Sequence, residues 1–150
     1  MTSRIVPDPD ASQRVALIAH DGMKDEMLAW ASDNREALLK HTLMATATTG
    51  GLLIDKLGLK VEALKSGPLG GDLQIGARIS EGLVDVLVFF WDPLRSQPHD
   101  PDVKALLRVA VVWNIPTACN RATADVLIAS PLLAHAHEAR PPLLAPAVDR

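Results

Sequence analysis

Cysteine is nearly absent. Cys119 stands alone and cannot close an internal disulfide, which points to a reducing, cytoplasmic setting. Tyrosine is missing, and three tryptophans with two phenylalanines leave few rings on which a flavin could stack. Positive charge is not in excess: a formal net charge of −3 gives no basic footprint, so nucleic acid is not an expected partner. Long hydrophobic runs are lacking too. The longest, Val86–Trp91, is far too short to span a bilayer, so no membrane partner is expected. Met1–Gln13 carries charges and two prolines but no apolar segment of the kind a signal peptide needs. The P-loop pattern Gly-x-x-x-x-Gly-Lys-Ser/Thr, the zinc pattern His-Glu-x-x-His and paired-cysteine spacing are all missing. Nucleoside triphosphate chemistry is therefore disfavoured, and no motif supports a metal.

What is present is a chain of 150 residues, 48% hydrophobic and 22% charged, which suits one soluble domain with a single good core. Strand candidates are Val15–Ala19, Thr42–Ala45, Leu59–Lys65, Val84–Trp91 and Ile115–Cys119. Helical patterns fall between or after them at Lys24–Lys40, Leu52–Leu57, Leu73–Gly82, Asp102–Trp113 and Ala122–Ala129. Val84–Trp91 is the clearest strand, a continuous apolar run that fits a central position covered on both faces. Alternation of this kind predicts an α/β fold with an open five-stranded parallel sheet and helices on both sides. Residues 1–13 read as an N-terminal arm, 14–131 as the domain, and 132–150 as a Pro- and Ala-rich tail.

Ligands of open α/β sheets bind at the carboxyl ends of the strands. Here those ends are His20-Asp21, Thr46–Gly50, Ser66–Asp72, Asp92 and Asn120. Ser66-Gly67-Pro68-Leu69-Gly70-Gly71-Asp72 is a loop by composition, and its glycines suit close backbone approach to an anion. Asp72 is either the N-cap of the following helix or a carboxylate held against a bound anion. Thr46-Ala47-Thr48-Thr49-Gly50-Gly51 opens a helix with hydroxyls, which serve equally as N-caps or, with the free N–H groups, as an anion site. Lys24 can add a full positive charge, and Ser66 and Gly67 can complete a phosphate cradle.

Asp92, His99, Asp100 and Asp102 surround the loop after the fourth strand, where Asp102 also fits an N-cap. His99 is a candidate electrophile or proton donor, and His20 shares that ambiguity. Two histidines with scattered acids can imitate a three-ligand zinc site, but without a motif the site is read as metal-free. His41, His135 and His137 fall away from the strand ends; Cys119, Trp30, Trp91 and Trp113 are read as core.

Taken together, these motifs resemble the methylglyoxal synthase family. The resemblance is carried by Ala19-His20-Asp21, Thr46–Gly50, Ser66–Asp72, Phe89-Phe90-Trp91-Asp92-Pro93-Leu94 and the run Pro98–Arg108, and is extended by Asn114-Ile115-Pro116 and Ala122–Asp125. It covers roughly Val15 to Pro131. It implies a flavodoxin-like sheet, a homohexamer, no metal and no organic cofactor. It also implies conversion of dihydroxyacetone phosphate to methylglyoxal and phosphate, a bypass of lower glycolysis. By the same resemblance Asp72 is the base that removes a C3 proton and His99 lies at the carbonyl. His20, Lys24, Thr46, Thr48, Thr49, Ser66 and Gly67 bind substrate and phosphate, while Asp21, Asp92 and Asp102 are supporting acids. Ala47 occupies the place of a family glycine within the phosphate-binding set. Free inorganic phosphate is expected to inhibit, since the same cradle must accept it. Two rivals use the same surface: a non-catalytic effector-binding module like that of carbamoyl phosphate synthetase, and a triose phosphate isomerase activity. The pairing of Asp72 with His99 weighs against the first, and released phosphate separates the second.

Overall fold

The computed structural model describes residues 12–136; the expectations for the first eleven residues and for the tail beyond Ala136 lie outside the described residues. Five parallel strands form one sheet in the order β3-β2-β1-β4-β5. They are β1 (Arg14–Ala19), β2 (Thr42–Ala45), β3 (Val61–Ala63), β4 (Val86–Phe90) and β5 (Thr117–Ala118). Between and after them lie α1 (Lys24–Asp33), α2 (Arg35–Leu38), α3 (Ala47–Leu57), α4 (Gly71–Ser80), α5 (Asp100–Val112) and α6 (Arg121–Ala129). This is the expected flavodoxin-like layering, although flavodoxin itself orders its strands 2-1-3-4-5. Here the direction of strand addition reverses between β1 and β4, and a crevice opens there at the carboxyl ends.

Side chains alternate across a strand, so β1 feeds two cores. Val15, Leu17 and Ala19 pack on one face with Met27, Trp30, Leu53 and Ala124, from α1, α3 and α6. Ala16 and Ile18 pack on the other with Ile75, Ile79, Val103 and Leu106, from α4 and α5. All five residues of β4 are buried, as the uninterrupted apolar run predicts for a central strand. Its approach is anchored by Asp85, a buried acid that accepts the Arg14 backbone N–H (2.8 Å) and two guanidinium hydrogen bonds (3.0 and 2.9 Å).

The structure departs from the sequence reading at several points. The expected helix Lys24–Lys40 divides at Asn34, whose side-chain amide donates to the Trp30 carbonyl (2.9 Å) and competes with the helical ladder. Helix α3 starts at Ala47, not Leu52, so the Thr- and Gly-rich stretch is its first turn; its N-cap is Thr46 rather than Thr48 or Thr49. Asp72 is not an N-cap: Gly70, at φ 102°, takes that position, and Asp72 lies inside the first turn of α4. Asp102 is likewise inside α5, which is capped by His99. Cys119 is exposed, because β5 is a two-residue edge strand that buries little beyond Ala118. Trp30 is core, but Trp91 is 39% exposed. Packing continues past Pro131, since Leu133 and Ala136 join the first core and Gln13 donates to the Ala134 carbonyl (2.7 Å).

Candidate active site

Four strand ends deliver the polar groups to one cavity of about 260 Å³. β1 ends in His20, followed by a turn of 3-10 helix and Lys24. β2 ends in Thr46 and the N-terminus of α3, whose first N–H groups have no partner within the helix. β3 leads through Ser66 and a second 3-10 turn, Gly67–Leu69, into α4 and Asp72. β4 leads to Asp92 and the loop carrying Gln97 and His99. The fifth strand end does not join them: Asn120 caps α6 by accepting the Thr123 N–H (2.9 Å).

At the floor lie His20, Asp72 and His99, all buried. Asp72 is fully buried, and among the described residues neither carboxylate oxygen has a hydrogen-bond partner; its Oδ2 lies 3.5 Å from His99 Nε2. Burial pushes its carboxyl above the ordinary value; His99 opposes that rise and the Asp102 carboxylate adds to it. A carboxylate in that state is a stronger base than one in water. Gly67 is what lets these groups meet. A Cβ at that position would come within 2.8 Å of His99 Nε2 and 3.5 Å of Asp72 Oδ1.

His20 Nδ1 accepts the backbone N–H of Asp92 (3.2 Å), while its Nε2 is buried without a partner among the described residues. Burial holds this imidazole below its usual pKa, with His99 and Lys24 acting in the same direction against Asp92 and Asp100. One donor atom from each of His20, Asp72 and His99 lies within 4.8 Å of the other two, the number of side chains that a catalytic zinc requires.

Above this floor stand Lys24, Thr46, Thr48 and Ser66. Lys24 Nζ donates to the Ala19 carbonyl (2.7 Å) and pairs with Asp21 (3.1 Å), whose own side chain is 96% exposed. An ammonium, hydroxyls and a helix N-terminus on one wall suit an anion, and they face a buried carboxylate and two imidazoles.

The other expected residues stand behind the cavity. Thr49 is fully buried, and its hydroxyl both accepts the Ala19 N–H (3.2 Å) and donates to the Ala19 carbonyl (3.3 Å). It fastens α3 to β1 instead of lining the space. Ala47, the first residue of α3, has no positive φ, so it does not need the latitude of glycine. Asp92 is buried beside Gly22, with its Oδ1 accepting the Leu94 N–H (3.0 Å). Asp102 acts on Asp72 through its charge, not by lining the space. Gln97 lines the cavity and was missed. Its only sequence signal is its place two residues before His99, in a loop that Asp100 ties by accepting the Gln97 N–H (3.2 Å).

A family model for the MGS-like domain matches residues 26–119. A protein of Vibrio parahaemolyticus named methylglyoxal synthase is 59% identical over 132 residues, covering 88% of this chain and 85% of that one. Another so named, from Saccharophagus degradans, is 56% identical over 142 residues, covering 95% and 92%. The chain belongs to the methylglyoxal synthase family. It is accordingly an enzyme, a lyase. The crystal structure of a methylglyoxal synthase from Elizabethkingia anophelis matches with a TM-score of 0.78 at 48% identity, over 82% of this chain and 81% of that one. The matched span of the MGS-like domain model includes β2 to β5, and so every cavity wall except that of β1 and Lys24.

Proposed function

We propose that the chain converts dihydroxyacetone phosphate to methylglyoxal and inorganic phosphate. The observation that carries this reading is Asp72, a fully buried carboxylate with neither oxygen hydrogen-bonded among the described residues, beside imidazole nitrogens equally unpartnered there, in a cavity whose other wall suits an anion. Asp72 takes a proton from C3, and the C–H electrons form an enediolate. His99 and His20 face the carbonyl oxygen on which that charge develops. The enediolate then expels phosphate: the C–O bond breaks with its electron pair going to the phosphate oxygen. The remaining enol gains a proton on its methylene carbon as it loses its hydroxyl proton and becomes methylglyoxal, and the proton taken by Asp72 leaves with the phosphate. Lys24, Thr46, Thr48, Ser66, the Gly67 backbone and the first turn of α3, including Ala47, hold the phosphate as reactant and as leaving group. Asp21 fixes Lys24, while Asp92 and Asp102 support His20 and Asp72; Thr49 holds the α3 end of the cradle in place.

No metal or organic cofactor is assigned a step. Inorganic phosphate competes for the same cradle. We further propose a cytoplasmic homohexamer. Exposed apolar side chains such as Leu94 (91%) and Val126 (68%) support burial between subunits, and among the described residues no helix is long and apolar enough to cross a membrane. The test is purified protein given dihydroxyacetone phosphate and scored for methylglyoxal and phosphate together. An isomerase acting on the same enediolate would release no phosphate, and a pure effector-binding module would turn over nothing.

A further inference from the structure

His20, Asp72 and His99 are spaced like three ligands of a catalytic zinc, yet one hydrogen bond argues against metal capture. A metal-binding imidazole offers a lone pair at one nitrogen and donates the N–H of the other to an acceptor. At His20 the polarity is reversed. Its outer nitrogen, Nδ1, faces the backbone N–H of Asp92 at 3.2 Å, and a backbone N–H can only donate. Turning the ring over would set a carbon against that N–H and strand it inside the protein, because Asp92 is 6% exposed.

We infer that the Asp92 backbone N–H locks His20 in the tautomer protonated on Nε2, which aims a hydrogen-bond donor into the cavity and denies any metal the lone pair there. Asp92 is thus a positioning residue, and its side chain matters through the turn it makes. Its Oδ1 accepts the Leu94 N–H (3.0 Å), closing an Asx turn at the end of β4 that orients its own N–H toward His20. Gly22 leaves the room this needs, since a Cβ there would run into the Asp92 carboxylate. Nε2 itself is buried and has no partner among the described residues, as expected of a donor kept for a ligand. That the donor serves a developing oxyanion rests on the reaction proposed above. The tautomer and the exclusion of metal rest on ring geometry alone, and are measured without turnover.

The test is the nitrogen NMR spectrum of protein labelled with 15N-histidine, at neutral pH, with His20 assigned by loss of its signals in His20→Gln. The expected result is Nδ1 at the shift of an unprotonated nitrogen and Nε2 at that of a protonated one. The opposite tautomer, or a doubly protonated ring, overturns the inference. Asp92→Asn keeps an oxygen for the Asx turn and is expected to preserve the pattern, whereas Asp92→Ala is expected to move it toward a tautomer mixture. Loss of the pattern in Asp92→Asn as complete as in Asp92→Ala would refute the role given to the turn. A Co2+ titration in a Cys119→Ser background, which removes the exposed thiol as a rival ligand, completes the test. Absence of a four-coordinate visible spectrum is expected; such a spectrum that disappears in His20→Gln overturns the metal-exclusion claim. A chain that shows the lock but makes no methylglyoxal would refute only the proposed reaction, and an active chain without the lock would refute only this inference.

Discussion

The carboxylate of Asp72 stands 3.5 Å from His99 Nε2, close enough for an ion pair, yet among the described residues neither oxygen accepts a hydrogen bond. A buried acid left this exposed to its own charge is poised to take a proton, and an amide in its place cannot. Asp72→Asn is expected to lower kcat on the order of 10³-fold while inorganic phosphate still binds. Steady-state kinetics with a phosphate-binding titration check both halves. Near-normal turnover would move the base to another carboxylate, with Asp102 the first to examine.

The same residue gives pH dependences of opposite sign for activity and stability. Burial raises the folded pKa of Asp72, so the folded chain binds that proton more tightly than the unfolded chain does. Its contribution to stability is full below the unfolded value of about 4 and is lost as pH rises through the higher folded value. Activity runs the other way, because the base works only when ionised. The acid limb of kcat/KM is therefore expected above the ordinary carboxylate range. Above that folded pKa the wild type carries a buried charge with no hydrogen bond among the described residues, which Asp72→Asn removes. A gain of about 1 kcal/mol would raise Tm by roughly 3 °C in a domain of this size, shrinking as pH falls below the folded pKa. Thermal melts across pH decide it, and a variant melting lower than wild type above that pKa contradicts the account.

How far the sequence revealed this site depended on what kind of information each residue needed. The run at β4 was legible because a strand buried on both faces must be apolar throughout. The cluster at the strand ends was legible because sheet topology gathers those ends whatever the loops do. Whether Asp72 caps a helix or lies within it was not legible, since that turned on Gly70 taking a left-handed conformation two residues earlier. Nor was the difference between Thr48 and Thr49. Neighbouring helical residues point about 100° apart, and only the placement of α3 against β1 says which hydroxyl sees the cavity. Gln97 carried no motif, and its place in the wall comes from how the loop folds back toward His99.

In the proposed phosphate cradle Lys24 is an ammonium already held by the Ala19 carbonyl and Asp21. Removing that charge should affect whatever the dianion contributes to binding. Lys24→Met is expected to raise both KM and the inhibition constant for phosphate by roughly tenfold or more, the equivalent of about 1.4 kcal/mol. Inhibition kinetics with inorganic phosphate measure it. Constants unchanged from wild type would take Lys24 out of the site.

Gly67 tests the crowding at the floor. A methyl group there would press on the His99 ring at 2.8 Å, and the ring would have to shift. Gly67→Ala is expected to cut kcat by about 10²-fold, because small misplacements of a reacting group are that costly. Tm should change little, as the ring has the cavity to move into. A crystal structure of the variant showing His99 unmoved, together with full activity, would contradict this.

Thr49 and Thr48 separate scaffold from ligand contact. The Thr49 hydroxyl bridges the N–H and carbonyl of Ala19 and accepts the Thr46 hydroxyl (3.4 Å), and valine keeps its shape while removing all three bonds. Thr49→Val is therefore expected to cost about 1–3 kcal/mol of stability, the penalty for leaving the Ala19 N–H buried and unpaired while the Ala19 carbonyl keeps the Lys24 ammonium, with phosphate affinity changed less than in Thr48→Val. Thr48 lines the cavity from an exposed position. Thr48→Val should do the reverse, leaving Tm in place and weakening phosphate by about 1 kcal/mol, the net worth of one hydrogen bond. Denaturation curves and phosphate titrations of the two variants, run side by side, distinguish the roles. If Thr49→Val loses phosphate affinity at unaltered stability, its hydroxyl turns to the ligand and the tie to β1 is not what holds the cradle.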